Sequence, residues 1–168
     1  IAHPAIRNRG TMGGSVAMAD PAAELPACLC ALGAEVEITG SGGARKVAAA
    51  DFFKDLYETD LADGEILTAI EIPKIGAGYR SAFDELARRH GDYAMCGVAA
   101  HAKVDGAVIS DLKLVFFAVG GTPVMAAQAS AAMEGQAVDD DSIAAAQAAL
   151  ENDLSPFDDL QCSATLRM

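Results

Sequence analysis

The sequence predicts an α+β fold, in which four or five mainly antiparallel strands are followed by helices. Between residues 34 and 119, segments of alternating apolar and polar residues are separated by turns rich in glycine and aspartate. Alanine-rich segments with helical spacing follow only after residue 123. Hydrophobic residues make up 52% of the 168 residues, so the chain can bury a core and is not a disordered protein.

The first 33 residues predict one helix after an opening rich in loops, residues 1–20. Asp20 and Pro21 are typical of an N-cap followed by the first helical position, and Gly33 is typical of a helix end. Pro26 would interrupt such a helix, so the alternative is a separate short turn with the main helix beginning near Pro26.

Residues 34–73 predict a hairpin and a further strand. The segments 34–39 and 45–48 flank a Gly-Ser-Gly-Gly turn, and residues 51–63 predict a short helix and a polar loop. Residues 65–73 predict a strand that ends at proline. Its alternation places Ile66, Ile70 and Ile72 on one face.

The second half predicts three strands and two helices. The strands cover residues 79–87, 93–104 and 111–119, and the helices cover 124–133 and 142–152. Three aspartates at 139–141 precede the second helix, where acidic residues stabilise the N-terminus, so we interpret them as a solvated cap rather than a metal site. A change in the sequence pattern near residues 75–79 predicts two domains, residues 1–76 and 77–168.

Charge and cysteine spacing narrow the classes of function. Twelve Lys and Arg against 24 Asp and Glu give a net charge of -12, which disfavours nucleic acid and anionic membrane as partners. No apolar run reaches the roughly 20 residues of a membrane span. The four cysteines form no Cys-x-x-Cys pair. We therefore expect no metal site, buried cysteines and a reducing cytoplasm.

The segment Thr-Met-Gly-Gly-Ser at residues 11–15 is the strongest candidate for a binding site. Adjacent glycines allow successive backbone amides to point into one concavity, which suits a phosphate or pyrophosphate. Residues 1–19 contain Arg7 and Arg9 and no acid, whereas Asp20 and Glu24 follow as acceptors for ribose or ribityl hydroxyls. A tight structural turn before a capped helix remains the alternative.

The segment IRNRGTMGGSVAMADPAAELPA closely resembles the second flavin-binding segment of the FAD-binding medium subunits of molybdenum hydroxylases, of the carbon monoxide dehydrogenase and xanthine dehydrogenase type. The resemblance continues through DGEILTAIEIP, SAFDELARRHGDYAMCGVAAHAKVDG and GGTPVMAAQA. It implies that FAD lies between an N-terminal subdomain and a second α+β subdomain, with a C-terminal domain beside them. The sequence opens inside a motif without an initiator Met, so we expect a fragment that lacks the first subdomain and its glycine-rich loop.

The resemblance also implies which residues contact FAD. Leu67 and Tyr93 fall near the isoalloxazine ring, although core packing of Leu67 and covering of a sheet by Tyr93 are open alternatives. Asp84 stands where xanthine dehydrogenase-type members carry a lysine, which makes NAD a less secure acceptor. Contacts to phosphates, ribityl chain or nearby hydroxyls are implied for Thr11, Gly13, Gly14, Ser15, Asp20 and Glu24.

The resemblance implies an oxidoreductase subunit that passes electrons from iron–sulfur clusters through FAD to an external acceptor. Its partners would be an iron–sulfur small subunit with 2Fe-2S clusters and a molybdopterin large subunit with the molybdenum cofactor, in a dimer of heterotrimers. No catalytic acid–base pair is expected in this chain, because the chemistry belongs to the flavin. The alternatives are a flavin-free interaction or assembly fragment that docks partner subunits, and another FAD enzyme of the same fold, such as a cell-wall reductase.

Overall fold

The computed structural model describes residues 1–168 and confirms the predicted α+β class with antiparallel sheets. No helix is long and apolar enough to cross a membrane. The first half contains α1 (Pro4–Arg7), α2 (Met12–Met18), α3 (Glu24–Leu32), β1 (Glu35–Gly40), β2 (Gly43–Ala48), α4 (Ala49–Phe52), β3 (Phe53–Asp55), β4 (Glu58–Thr59) and β5 (Ile66–Glu71). The second half contains β6 (Tyr79–Ala87), β7 (Ala94–Asp105), β8 (Val108–Phe117), β9 (Val124–Met125), α5 (Ala127–Met133), α6 (Asp140–Asp153) and α7 (Ala164–Arg167).

The opening of the chain differs from the prediction. Residues 1–20 are not mainly loop, because they contain α1 and α2. Helix α3 begins at Glu24 rather than after Asp20, whose side-chain oxygen instead accepts the amide of Ala22 at 2.9 Å within a turn. The alternative start near Pro26 was closer, since this proline lies in the first turn, where its missing N–H costs no hydrogen bond. Gly33 ends α3 in the left-handed conformation, as predicted.

The hairpin of β1 and β2 is confirmed, and β5 pairs with the other edge of β1 to give the order β2-β1-β5. The predicted face of β5 is wrong. The register with β1 skips Thr68, which forms a bulge and reverses the alternation. As a result Leu67 and Ile70 pack against the core, while Ile66 is 64% exposed and Ile72 is also exposed. The short helix predicted within residues 51–63 corresponds to α4, which begins and ends earlier than predicted, and the small β3-β4 sheet stands where a loop was predicted.

The second sheet has the order β6-β7-β8-β9 and carries helices on both faces. Helix α3 of the first half covers one face, where Val115 and Phe117 of β8 join Leu29 of α3 in a core of 17 buried residues. Helices α5 and α6 cover the other face around a cluster of four buried residues. The larger core draws residues from both halves, and the division at residues 76 and 77 stays a prediction.

Helix α6 begins at a hydrogen-bonded cap, whereas α5 begins without a side-chain cap. Asp139 is the N-cap of α6, where its carboxylate accepts the amide of Ser142 at 2.9 Å in a reciprocal capping box, so the predicted cap is confirmed. Helix α5 begins at Ala127, three residues later than predicted, because Val124 and Met125 pair with β8 as a short strand.

Candidate functional site

The glycine segment of residues 11–15 forms the first turn of α2. Thr11 is the N-cap, and its hydroxyl oxygen accepts the amide of Gly14 at 3.0 Å. A Cβ at Gly14 would come within 2.8 Å of that oxygen, so this position favours glycine. A Cβ at Gly13 would meet only Leu67, at 3.7 Å from its Cδ2. The fold therefore brings Thr11, Gly13, Gly14 and Leu67 together.

A cleft of about 280 Å³ opens between α2, the start of α3 and the loop before β7. Helix α2 ends at Ala19, whose positive φ of 51° turns the chain into this cleft. Four of the predicted residues line the same cleft, namely Ser15, Asp20, Glu24 and Tyr93. Sequence reasoning missed His3 and Ile6 in its wall, because a single sequence does not show that α1 folds back toward the loop before β7.

The loop that precedes β7 holds Tyr93 with its side chain 60% exposed. One carboxylate oxygen of Asp92 accepts the amide of Tyr93 at 3.1 Å, and the other accepts Arg89. These bonds, with the backbone bond the larger cause, hold the pKa of Asp92 below its usual range. Gly91, with a φ of 79°, allows His3 to approach closely. The loop thus presents an aromatic ring beside the cleft.

A second cavity of about 490 Å³ shares Asp20 and Tyr93 with the cleft and adds Tyr57. Tyr57 is 53% exposed and has a positive φ of 57°, a conformation that bulky residues rarely adopt. The negative charge of Asp20 raises the pKa of its phenol, with smaller contributions from burial and Tyr93. Sequence reasoning also missed Tyr57. The only signal for it was the scarcity of aromatic residues, since the chain has three tyrosines and no tryptophan.

Arg167 anchors the C-terminal segment against the start of β7. Its buried guanidinium donates to the carbonyl oxygens of Met95 at 3.0 Å and Phe157 at 2.8 Å, and to Asp159 at 2.6 Å. This bond holds the pKa of Asp159 below its usual range. Arg167 therefore fixes the backbone two residues after Tyr93, a role that no pattern in the sequence indicated.

Glu85 of β6 is a half-buried acidic residue near Glu24. Its Oε2 atom is buried and has no hydrogen-bond partner in the structure. Burial, followed by the charge of Glu24, raises the pKa of this carboxyl. Glu85 itself does not line the cleft.

Metal-binding chemistry has no counterpart among the described residues. No group of three or more His, Cys, Asp or Glu is placed to hold an ion, and all four cysteines are free thiols. Burial raises the pKa of Cys28 and Cys96, and raises that of Cys30 to about 12. These three thiols are therefore poor nucleophiles in the folded state.

Comparison with known families accounts for nearly the whole chain. Residues 1–75 match the family described as the FAD binding domain in molybdopterin dehydrogenase. Residues 81–168 match the family described as the CO dehydrogenase flavoprotein C-terminal domain. The fold and the sequence thus define the class as a flavoprotein component of molybdopterin enzymes.

Individual relatives agree with this class. The chain is 35% identical over 162 residues to the glyceraldehyde dehydrogenase medium chain of Sulfolobus acidocaldarius, covering 96% of this chain and 57% of the relative. It is 38% identical over 159 residues to the carbon monoxide dehydrogenase medium chain of Afipia carboxidovorans, covering 95% and 55%. The chain belongs to the FAD-binding medium-subunit family of the molybdenum hydroxylases, as its sequence predicted.

Solved structures give the same result. A chain of carbon monoxide dehydrogenase from Hydrogenophaga pseudoflava superposes with a TM-score of 0.94 at 34% identity, and covers 99% of this chain and 58% of that chain. A chain of quinoline 2-oxidoreductase from Pseudomonas putida 86 gives 0.91 at 41% identity, with the same coverage. The chain thus spans somewhat more than half the length of these relatives.

Proposed function

We propose that this chain is part of an electron-transfer flavoprotein subunit of a multi-subunit molybdenum hydroxylase. The observation that carries the proposal is the match of residues 1–75 to the FAD-binding family, over the segment that forms α2 and the cleft. The flavin-free assembly role is not favoured, because it would leave that match without a purpose.

The residues present fit part of an FAD molecule. Gly13 leaves the surface beside Leu67 free of a side chain, so that an extended ligand could approach the backbone there. Thr11 and Ser15 carry hydroxyl donors in a segment without acids, which suits phosphate oxygens. The carboxylates of Asp20 and Glu24 line the cleft as acceptors for hydroxyl groups, and the exposed Tyr93 ring offers a surface for a planar ring.

In this proposal, bound FAD supplies the redox chemistry, and the chain supplies binding and orientation. Asp20 is held in place by its bond to the Ala22 amide, so its free carboxylate oxygen can accept a ligand hydroxyl. Asp92 fixes the backbone of Tyr93, and Leu67 contributes an apolar wall. None of these residues needs to gain or lose a proton, which suits a subunit that transfers electrons.

The partners follow from the relatives, several of which are named as medium chains or subunits of complexes. We propose an iron–sulfur small subunit carrying 2Fe-2S clusters and a molybdopterin large subunit carrying the molybdenum cofactor, assembled as a dimer of heterotrimers in the cytoplasm. Asp84, in place of lysine, supports an electron acceptor other than NAD. The division into a second FAD-binding subdomain, residues 1–76, and a C-terminal domain, residues 77–168, belongs to the same proposal.

The test is FAD binding by the full-length protein, followed by flavin absorbance and calorimetry. Gly13→Val should weaken FAD binding at least tenfold, because the added methyl groups occupy the surface beside Leu67. Gly42→Val is the matched control, since nothing lies within 4 Å of its Cβ in the hairpin turn. Circular dichroism checks that both variants fold. A full-length protein that neither contains nor takes up flavin, or equal affinities of the two variants, would contradict the proposal.

A further inference from the structure

A separate polar cavity lies beyond the C-terminal end of α3. It measures about 220 Å³ and is enclosed by the end of α3, the linker of residues 73–76 and the sheet of the second half. The polar side chains in its wall are those of Lys74, Tyr79, His101, Asp111 and Lys113. None of these residues lines the cleft proposed for FAD.

The strand register explains why these groups meet. Ser81 lies opposite His101, and His101 lies opposite Lys113, so the three side chains form a row across β6, β7 and β8 on one face of the sheet. That face is the one covered by α3, as the burial of Phe117 on the same strand shows. Helix α3 ends at Gly33, next to the Lys113 ammonium, so this lysine lies at the end of the helix rather than beneath it.

His101 provides the cavity with a hydrogen-bonding group in a fixed orientation. It is only 7% exposed, its ring stacks on Tyr79 at 5.0 Å, and its Nδ1 lies 2.8 Å from the Ser81 hydroxyl. When that hydroxyl donates to Nδ1, the ring proton resides on Nε2. Nε2 has no protein partner, so in that tautomer its N–H is free to donate to an acceptor in the cavity that His101 lines.

The charge around the cavity is positive in an acidic chain. Neither Lys74 nor Lys113 lies within 4.0 Å of a carboxylate, in contrast to Lys46, which pairs with Glu71. Lys113 is half-buried at the C-terminal end of α3, whereas Lys74 is exposed. The one acid in the wall, Asp111, accepts the Tyr79 hydroxyl at 2.7 Å. The wall therefore carries one more cation than carboxylates, which favours an anion.

We propose that this cavity binds a small tetrahedral oxyanion of the phosphate or sulfate class. Lys74 and Lys113 supply the charge, and the Nε2–H of His101 supplies a directed hydrogen bond. The cavity volume suits one such ion and is smaller than the roughly 300 Å³ or more of most organic-ligand pockets. Because Lys74 belongs to the linker and the other two groups to the sheet, the ion would tie the linker to the second half. This inference does not depend on FAD binding.

The experiment is calorimetric titration of the full-length protein with inorganic phosphate at constant ionic strength set by chloride. We expect saturable binding that Lys113→Met weakens at least tenfold and that Lys74→Met also weakens. Lys103→Met is the matched control, because this lysine lies exposed on β7, makes no ion pair and does not line the cavity. It should bind phosphate as the unmodified protein does.

Further titrations identify the ligand and the role of His101. Sulfate should bind in competition with phosphate, whereas adenosine monophosphate should bind more weakly because the cavity has no room for a nucleoside. His101→Gln should lower the affinity for phosphate while circular dichroism stays unchanged, and Lys113→Met still tests binding in this cavity if His101→Gln fails to fold. Absence of saturable phosphate binding, or equal affinities of Lys113→Met and Lys103→Met, would overturn the proposal.

Discussion

The two faces of the β6-β7-β8-β9 sheet are stabilised in different ways. The face under α3 belongs to a core of 17 buried residues that includes Phe52, Leu29 and Phe117. The face under α5 and α6 has only four fully buried apolar residues, three alanines and one methionine. Large side chains fill the first layer, whereas small side chains let helices approach closely in the second.

Hydrogen bonds compensate for the smaller apolar volume of the second face. Asp153 at the end of α6 accepts the amides of Gln128 and Ala129, which are the free amides of the first turn of α5. Ser130 accepts the amide of Leu114 on β8. One face of this sheet is therefore covered mainly by large buried side chains. The other face is covered by helices whose ends are held by hydrogen bonds.

The largest expected effect is on the free energy of unfolding, and it distinguishes substitutions at two adjacent positions that face opposite sides of the sheet. Phe117→Ala removes a fully buried ring from the larger core and should cost about 3–5 kcal/mol of unfolding free energy. Phe116→Ala is the control, because Phe116 is partly buried and packs on the α5-α6 side. Urea unfolding should show a clearly smaller loss for Phe116→Ala. Equal losses would mean that the two faces contribute equally.

An intermediate effect is expected at the cap that joins α5 to α6. Asp153→Ala leaves two amides of α5 without acceptors and should cost about 1 kcal/mol, within a range of roughly 0.5–2. Glu151→Ala is the control, because this exposed carboxylate lies in the same last turn of α6 and makes no hydrogen bond to α5. If urea midpoints of the two variants coincide, the second face does not depend on this cap.

The smallest effect concerns a partly exposed ion pair outside both faces. Arg45 donates to Glu65 at 2.7 Å and 3.0 Å, which is the main reason that the pKa of Glu65 falls to about 2. A lowered carboxyl pKa adds stability above the unfolded pKa near 4.5, and this stability is lost as pH falls toward 2. Glu65→Gln should therefore destabilise slightly at pH 7, and the deficit should shrink below pH 4.5.

Solvent screening keeps the contribution of this partly exposed pair small. Glu58→Gln is the control, because its carboxylate makes no ion pair or hydrogen bond in the structure. Urea midpoints measured between pH 7 and pH 3 should show a pH-dependent deficit for Glu65→Gln only. The same deficit at both ends of this range would show that the charge of Glu65 is not the cause.

Local patterns predicted most of the strands, because each segment by itself shows the alternation of apolar and polar residues with a period of two. They failed at β5, because the bulge at Thr68 arises from pairing with β1 and not from the segment itself. They also missed α2, since Gly13 and Gly14 are poor helix formers. The Thr11 cap and the complete burial of Val16 favour the helix nonetheless.

The candidate site could be predicted only where its residues share a motif. Ser15, Asp20 and Glu24 come from one continuous segment, and Tyr93 entered through the resemblance to a family. Their contacts with FAD remain predictions. Arg167 could not be found in this way, because it reaches the start of β7 from a position 72 residues further along the chain.

Helix α3 has a mechanical consequence. It is continuous in sequence with the segment that carries the glycine turn, yet it packs on the sheet whose strand β7 directly follows the Tyr93 loop. Opening a hinge between these two parts would expose the larger core, so thermal motion should move them together as one rigid body. A ligand held between these two parts would therefore meet a cleft of nearly constant width.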